Sequence, residues 1–147
     1  MSELRNVIVF AIGAVRYALE LRWVREVVSL GFVTTVPSAP PAIGGVCNLH
    51  GAILPVIDLG ALLGGPLGSP ARQGDAALVL DMDGVICAVR VDQVDHVASL
   101  HETGGAVLDA AGRALTLLDP ARLVRRAVEL TSDAGASSIA LPQAGRR

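Results

Sequence analysis

Apolar and polar positions alternate with a period of two over several short runs of this chain, the spacing of half-buried strands. Asn6–Ile12 predicts a first strand and Val15–Glu20 a second, with Gly13-Ala14 as the turn between them. In the second run Val15, Tyr17 and Leu19 alternate against Arg16, Ala18 and Glu20. The period then changes. Leu21, Val24, Val27 and Val28 share one helical face, which predicts a short helix over Leu21–Leu30. Phe32–Val36 predicts a return to strand, and Pro37–Ala42 (PSAPPA) a rigid extended connector. Gly44–Leu63 predicts a strand, a tight His50-Gly51 turn, a second strand over Ala52–Ile57, and a helix over Leu59–Leu63 capped by Asp58. Pro55 has no N–H to give to a ladder, which predicts an edge or bulged strand there. Gly64–Gly74 holds two prolines and four glycines in eleven residues and predicts a loop.

The pattern repeats. Val7–Leu30 aligns without gaps on Ala77–Leu100 at an offset of 70, with seven of 24 positions identical. Gly51–Leu63 aligns on Gly112–Val124 at an offset of 61, and Gly51/Gly112, Leu54/Leu115, Asp58/Asp119 and Leu62/Leu123 match. The second copy is therefore nine residues shorter (70 minus 61), between Leu100 and Gly112. Two copies of one strand order predict two like small β-barrels that pack together, because neither encloses a large core alone. The expected units are residues near 13–75 and near 76–127, with the first strands shared, followed by a flexible Ser/Ala/Gly-rich tail over 128–147.

Composition narrows the chemistry. Hydrophobic residues make up 52%, ample for a packed interior, with only four aromatic side chains: Phe10, Tyr17, Trp23 and Phe32. The formal charge of -2 supplies no basic field for nucleic acid. All 12 cations are arginines. A lysine-dependent phosphate loop or Schiff base is thereby excluded. Cys47 and Cys87 each sit in an apolar run and read as reduced core thiols. No secretory signal and no uninterrupted apolar span is evident, so the expected location is the cytoplasm, without direct membrane insertion. Cys47 and His50 are spaced C-x-x-H, but neighbouring strand positions face opposite ways and no second ligand pair follows, so no metal and no cofactor is expected. Asp81-Met82-Asp83-Gly84 lacks the later ligands of a calcium loop and reads as a hairpin turn. No hydrolase motif is present.

Several motifs together resemble one family. Val24-Arg25-Glu26-Val27, Pro37–Pro41, Gly45-Val46-Cys47-Asn48-Leu49-His50-Gly51, Pro55-Val56-Ile57-Asp58-Leu59, Val91–Val97 and Leu117-Leu118-Asp119 follow in the order of the CheW-like family, the coupling proteins of bacterial chemotaxis. The resemblance covers residues 5–127 as a single domain. It implies a mainly β fold of two SH3-like barrels with short helices, and a scaffold rather than an enzyme. The implied partners are the regulatory domain of a CheA-type histidine kinase and a chemoreceptor cytoplasmic tip. By motif, the implied partner-binding residues are Val24, Glu26, Gly45 and His50. His50 stands where the family pattern has arginine, replacing a permanently charged five-donor fork by two ring nitrogens. Trp23 reads equally as an interface anchor or as core. Two alternatives are a CheW-like scaffold of a motility or developmental kinase pathway, and a small enzyme with a cleft between the barrels.

Overall fold

The computed structural model describes residues 4–65, 68, 70–82, 84–101, 107–108 and 112–133. The first hairpin joins β1 (Leu4–Ile12) to β2 (Val15–Glu20). A single 3₁₀ turn over Leu21–Trp23 leads into β3 (Val24–Ser29). Then follow β4 (Val33–Thr34), β5 (Ile43–Leu49), β6 (Ala52–Ile57) and the one-turn α1 (Leu59–Leu62). The second half runs β7 (Ala76–Met82), β8 (Val85–Val91), β9 (Gln93–His101), β10 (Val107–Leu108), β11 (Ala114–Leu117) and α2 (Pro120–Asp133). The fold is mainly β, as expected.

The described strands form two sheets. One has the order β10-β11-β2-β1-β9, the other β3-β7-β8-β6-β5-β4. With the repeat offsets applied, β10, β11, β2, β1 and β9 correspond in turn to β5, β6, β8, β7 and β3. The sheets are thus equivalent, and each is built from both halves of the chain. Hairpin β1–β2 sits with β9, β10 and β11, while hairpin β7–β8 sits with β3, β4, β5 and β6. Register carries the same symmetry. Phe10 pairs with Val94 and Leu80 with Val24, each beside a bulge. Leu117 pairs in parallel with Ala18, and Val56 with Ala88.

Alternation along each strand supplies three cores. Ile8, Phe10 and Leu19 of one sheet meet Leu78, Leu80 and Val89 of the other between the sheets, with Ile57, Leu62, Leu118 and Leu123 completing the layer. The opposite face of β7 and β8 fills the second sheet's own interior with Ala77, Val79 and Ala88, joined by Leu30, Cys47, Leu54 and Val56. The equivalent interior of the first sheet is smaller: Val7, Val9, Ala18 and Leu115, with Leu117 against them. Leu108, the counterpart of Cys47 by the second offset, is half-exposed.

Three expectations change. Leu21–Leu30 is not a helix. Its valines are β-branched, Glu20 makes no side-chain cap, and β7 offers a ladder from Val24 to Ser29. Only Val33–Thr34 of the Phe32–Val36 run pairs as strand. β6 is no edge but lies between β5 and β8; β8 pairs with it only at Val56 and Ile57, beyond Pro55, so the missing N–H breaks no bond there. In the expected tail, residues 128–133 belong to α2, and 134–147 lie outside the described residues. So do Asp83 and most of the segment between Leu100 and Gly112. Asp58 caps α1, its Oδ1 accepting the Ala61 N–H at 3.0 Å, and Asp119 accepts the Ala121 N–H at 3.0 Å in the equivalent place. Cys47 and Cys87 are buried and free; burial raises both thiol pKa values, that of Cys87 to about 12, so neither forms a ready thiolate.

Candidate partner-binding surface

Two residues expected at the binding site meet directly. His50 Nε2 lies 3.2 Å from Glu26 Oε1, although β3 and the β5–β6 turn sit far apart in the strand order of their sheet. The sheet curls until its first strand approaches this turn. His50 and Gly51 both have positive φ, +51° and +87°, the backbone of a two-residue hairpin turn whose twist matches its strands. Asn48 Oδ1 accepts the Gly51 N–H at 3.1 Å and holds the turn closed. A histidine at the first turn position carries a left-handed backbone that asparagine or glycine adopts more readily. The turn presents the imidazole to solvent, its side chain 71% exposed, with the Glu26 side chain at 36%. For this bond Nε2 carries the hydrogen and donates it to the carboxylate.

A bulge aims Glu26. Val24 pairs with Leu80 and Glu26 with Val79, which leaves Arg25 as the extra residue, exposed. At the equivalent bulge of β9 the extra residue is Asp95, held at 3.0 Å by Arg16 Nη1. Val24 itself lies half-buried against the inter-sheet core, beside Trp23. Trp23 packs there as well, with the Arg22 guanidinium 4.9 Å from its ring centroid. Gly45 stands apart from the pair. It is buried in β5 at φ +147°, and a Cβ there would fall 2.6 Å from the Thr34 carbonyl oxygen and 2.9 Å from Val33 Cγ1. Its hydrogen side chain lets β4 lie against β5.

Sequence reasoning missed an outward apolar face. Cys47 pairs with Leu54 and both are buried, so their neighbours Asn48 and Ile53, also paired, face out. Ile53 is 50% exposed. Phe32, one residue before β4 and 74% exposed, falls on the same face by the register of Val33 with Cys47. The run Ala52–Ile57 is apolar throughout, so no alternation marks which face meets water. Val27 on β3 and its repeat counterpart Val97 on β9 are likewise half-exposed, at 48% and 57%.

A cavity of about 320 Å³ lies beneath the proline-rich connector, lined by Pro40, Pro41, Ile43, Asp58, Pro70 and Arg90 among others. Its charged groups are engaged. Asp58 caps α1 and accepts the Gly68 N–H at 2.8 Å; Arg90 donates from Nε to Asp75 and from Nη1 to Asp92. Burial alone pushes the Asp75 carboxyl up, but hydrogen bonds from Arg90 and the Arg72 N–H, with the charges of both arginines, hold it below its ordinary value. No converging set of acid, base and nucleophile is formed there among the described residues. Among the described residues no group of three or more His, Cys, Asp or Glu side chains is arranged to hold a metal ion. No described helix is long and apolar enough to cross a membrane.

The family model described as a CheW-like domain matches residues 6–128. The chain belongs to the CheW-like family. Among curated CheW-like relatives, it is 29% identical over 98 residues to a chemotaxis protein CheW of Rhizobium meliloti, covering 67% of this chain and 63% of that protein. It is 31% identical over 96 residues to a probable chemotaxis protein CheW of Rhizobium etli, covering 65% and 61%. The matches thus span about three-fifths of these relatives' length. The crystal structure of the scaffolding protein TtCheW of Thermoanaerobacter tengcongensis superposes with a TM-score of 0.61 at 22% identity, covering 80% of this chain and 90% of that one. This CheW-like chain therefore shares its two-sheet fold with a solved CheW.

Proposed function

We propose that this protein is a non-enzymatic scaffold of chemotaxis signalling on the cytoplasmic side of the membrane. It holds the regulatory domain of a CheA-type histidine kinase against a chemoreceptor tip. The observation that carries the reading is the Glu26–His50 contact. Two motif residues 24 positions apart converge on one exposed spot, on a chain of the CheW-like family. In this reading the pair, with Val24 two residues before Glu26 on β3, meets the receptor. The outward face with Phe32 and Ile53 offers apolar area to the kinase domain, as interface cores require. Coupling then means that a receptor rearrangement biases the kinase through shared contacts.

A second reading follows from His50 itself. Arginine would clamp a partner carboxylate bidentately, which histidine does not do, so a CheW-like scaffold of another kinase pathway is also consistent with this surface. Co-purification separates the two. The tagged protein is presented with a receptor signalling-domain fragment and with a kinase regulatory domain. Capture of both supports receptor coupling. Capture of the kinase domain alone transfers the protein to the second reading, and capture of neither removes both.

A further inference from the structure

We infer that Arg25 clamps an acidic side chain of the receptor tip, supplying from the β3 bulge the permanent cation that the hairpin turn lacks. The inference rests on the scaffold reading and adds one contact beside the Glu26–His50 pair. The fold engages most of its other described arginines. Asp95 holds Arg16, Glu20 holds Arg22, Asp75 and Asp92 hold Arg90, and Glu129 holds Arg126. Arg25 is exposed and makes no ion pair or side-chain hydrogen bond with a described residue. Its neighbour Glu26 does not serve it, because that carboxylate is taken by His50 Nε2 at 3.2 Å. The guanidinium thus keeps its planar fork of donors and a charge that is never titrated away.

The ladder sets its position. Val24 pairs with Leu80 and Glu26 with Val79, so Arg25 is in excess on β3 and stays out of the pairing. β3 is the first strand of its sheet, with β7 on one side only. The internal repeat supplies a comparison. At the equivalent bulge of β9 the excess residue is Asp95, and Arg16 of β2 holds it at 3.0 Å, the two side chains 19% and 14% exposed. That bulge is a structural joint. By the offset of 70, Arg16 corresponds to Ile86, which packs against the second sheet's interior and has no charge to offer. The β3 bulge has therefore lost the internal partner, and the charge it carries is of opposite sign and faces water. A carboxylate fits this arginine best, because its two oxygens accept the guanidinium fork bidentately. The Nε2–H of His50 is engaged by Glu26, so Arg25 is the strong donor left free beside the pair. A charge on an edge strand also serves to repel other edges, but a guard of that kind works with lysine as well as with arginine.

Titration of the full chain with a receptor signalling-domain fragment tests this. Arg25→Glu is expected to weaken binding by at least about tenfold, the loss typical of an interface arginine that acts as an anchor. Its denaturation midpoint and its capture of the kinase regulatory domain are expected to stay as in the wild type. Arg25→Lys is expected to recover only part of the affinity, since an ammonium does not clamp bidentately. Added salt is expected to weaken the wild type more steeply than Arg25→Glu. The control is Arg125→Glu on α2, an exposed arginine likewise without a described partner, which changes the net charge equally and is expected to bind as the wild type does. Equal affinity of the wild type and Arg25→Glu overturns the inference and leaves the scaffold reading standing. Full affinity in Arg25→Lys overturns the clamp, and equal losses in Arg25→Glu and Arg125→Glu overturn it as an effect of net charge. A wild-type chain that captures no receptor fragment removes the receptor-coupling reading itself, and this inference with it.

Discussion

The Glu26 carboxylate and the His50 imidazole meet at 3.2 Å, one on a bulged strand and the other at a hairpin turn 24 residues later. Both are solvent-facing, so their bond contributes little to stability, about 0–1 kcal/mol for exposed pairs. The expected consequence is a separation of roles. Glu26→Arg leaves the denaturation midpoint within the range of a surface change while abolishing capture of the receptor fragment. Unchanged capture would remove Glu26 from the surface.

His50 carries a left-handed backbone that suits asparagine better. His50→Asn is expected to keep or raise the melting temperature, yet to weaken receptor capture because the ring is lost. His50→Arg restores the family's permanent charge and is expected to strengthen capture of a receptor fragment. Calorimetry and a binding titration on the two variants check both signs.

Gly45 is a packing residue. In Gly45→Ala the new methyl would press into the Thr34 carbonyl, which is backbone and cannot swing away. A loss of roughly 2–4 kcal/mol in urea denaturation is expected. At Gly44 the nearest atom to a Cβ is the Val56 carbonyl oxygen at 3.8 Å, ordinary contact, so Gly44→Ala should cost much less.

Acid reaches the protein through Asp75. Its carboxyl pKa lies below the ordinary value of 3.8, so the folded state releases that proton more readily than the unfolded state. The stability this gives is fully present above the ordinary value and is lost as pH falls through the lowered one. In Asp75→Asn that acid-side decline is expected to flatten, with lower stability at neutral pH because Arg90 loses one partner. Denaturation midpoints measured from pH 7 down to 2.5 read both effects.

The two caps should differ. Asp119→Ala removes one hydrogen bond and is expected to cost about 1 kcal/mol. Asp58→Ala also releases the Gly68 N–H and should cost more.

Much of this fold is legible in the spacing of residues along the chain. The repeat offsets located both hairpins of the first strand pairs, the two caps and the equivalence of β3 with β9, because those are local patterns of spacing and turn residues. Which copy pairs with which was not legible. β7 and β8 are apolar on both faces, so nothing in their pattern names a neighbour. β3 misled for a related reason. With Arg25 as an extra residue, its valines fit helical spacing as well as a bulged strand. Of the four expected site residues, Glu26 and His50 converge, Val24 is half-buried against the inter-sheet core, and Gly45 lies under β4. Phe32 and Ile53 escaped notice because an exposed apolar side chain looks, in a sequence, like a buried one.

The crossed pairing of hairpins also sets the timetable of synthesis. β1 has no outer neighbour until β9 has been made, and β2 waits for β11, nearly a hundred residues downstream. Such distant pairings fold slowly, since the intervening chain must be closed before any contact rewards it. A ribosome that has released only the first half holds apolar strands with open edges, the state in which chains aggregate. It follows that the nascent chain does not fold half by half: the second sheet, residues 24–91, is complete once β8 has emerged, and the first sheet only after β11.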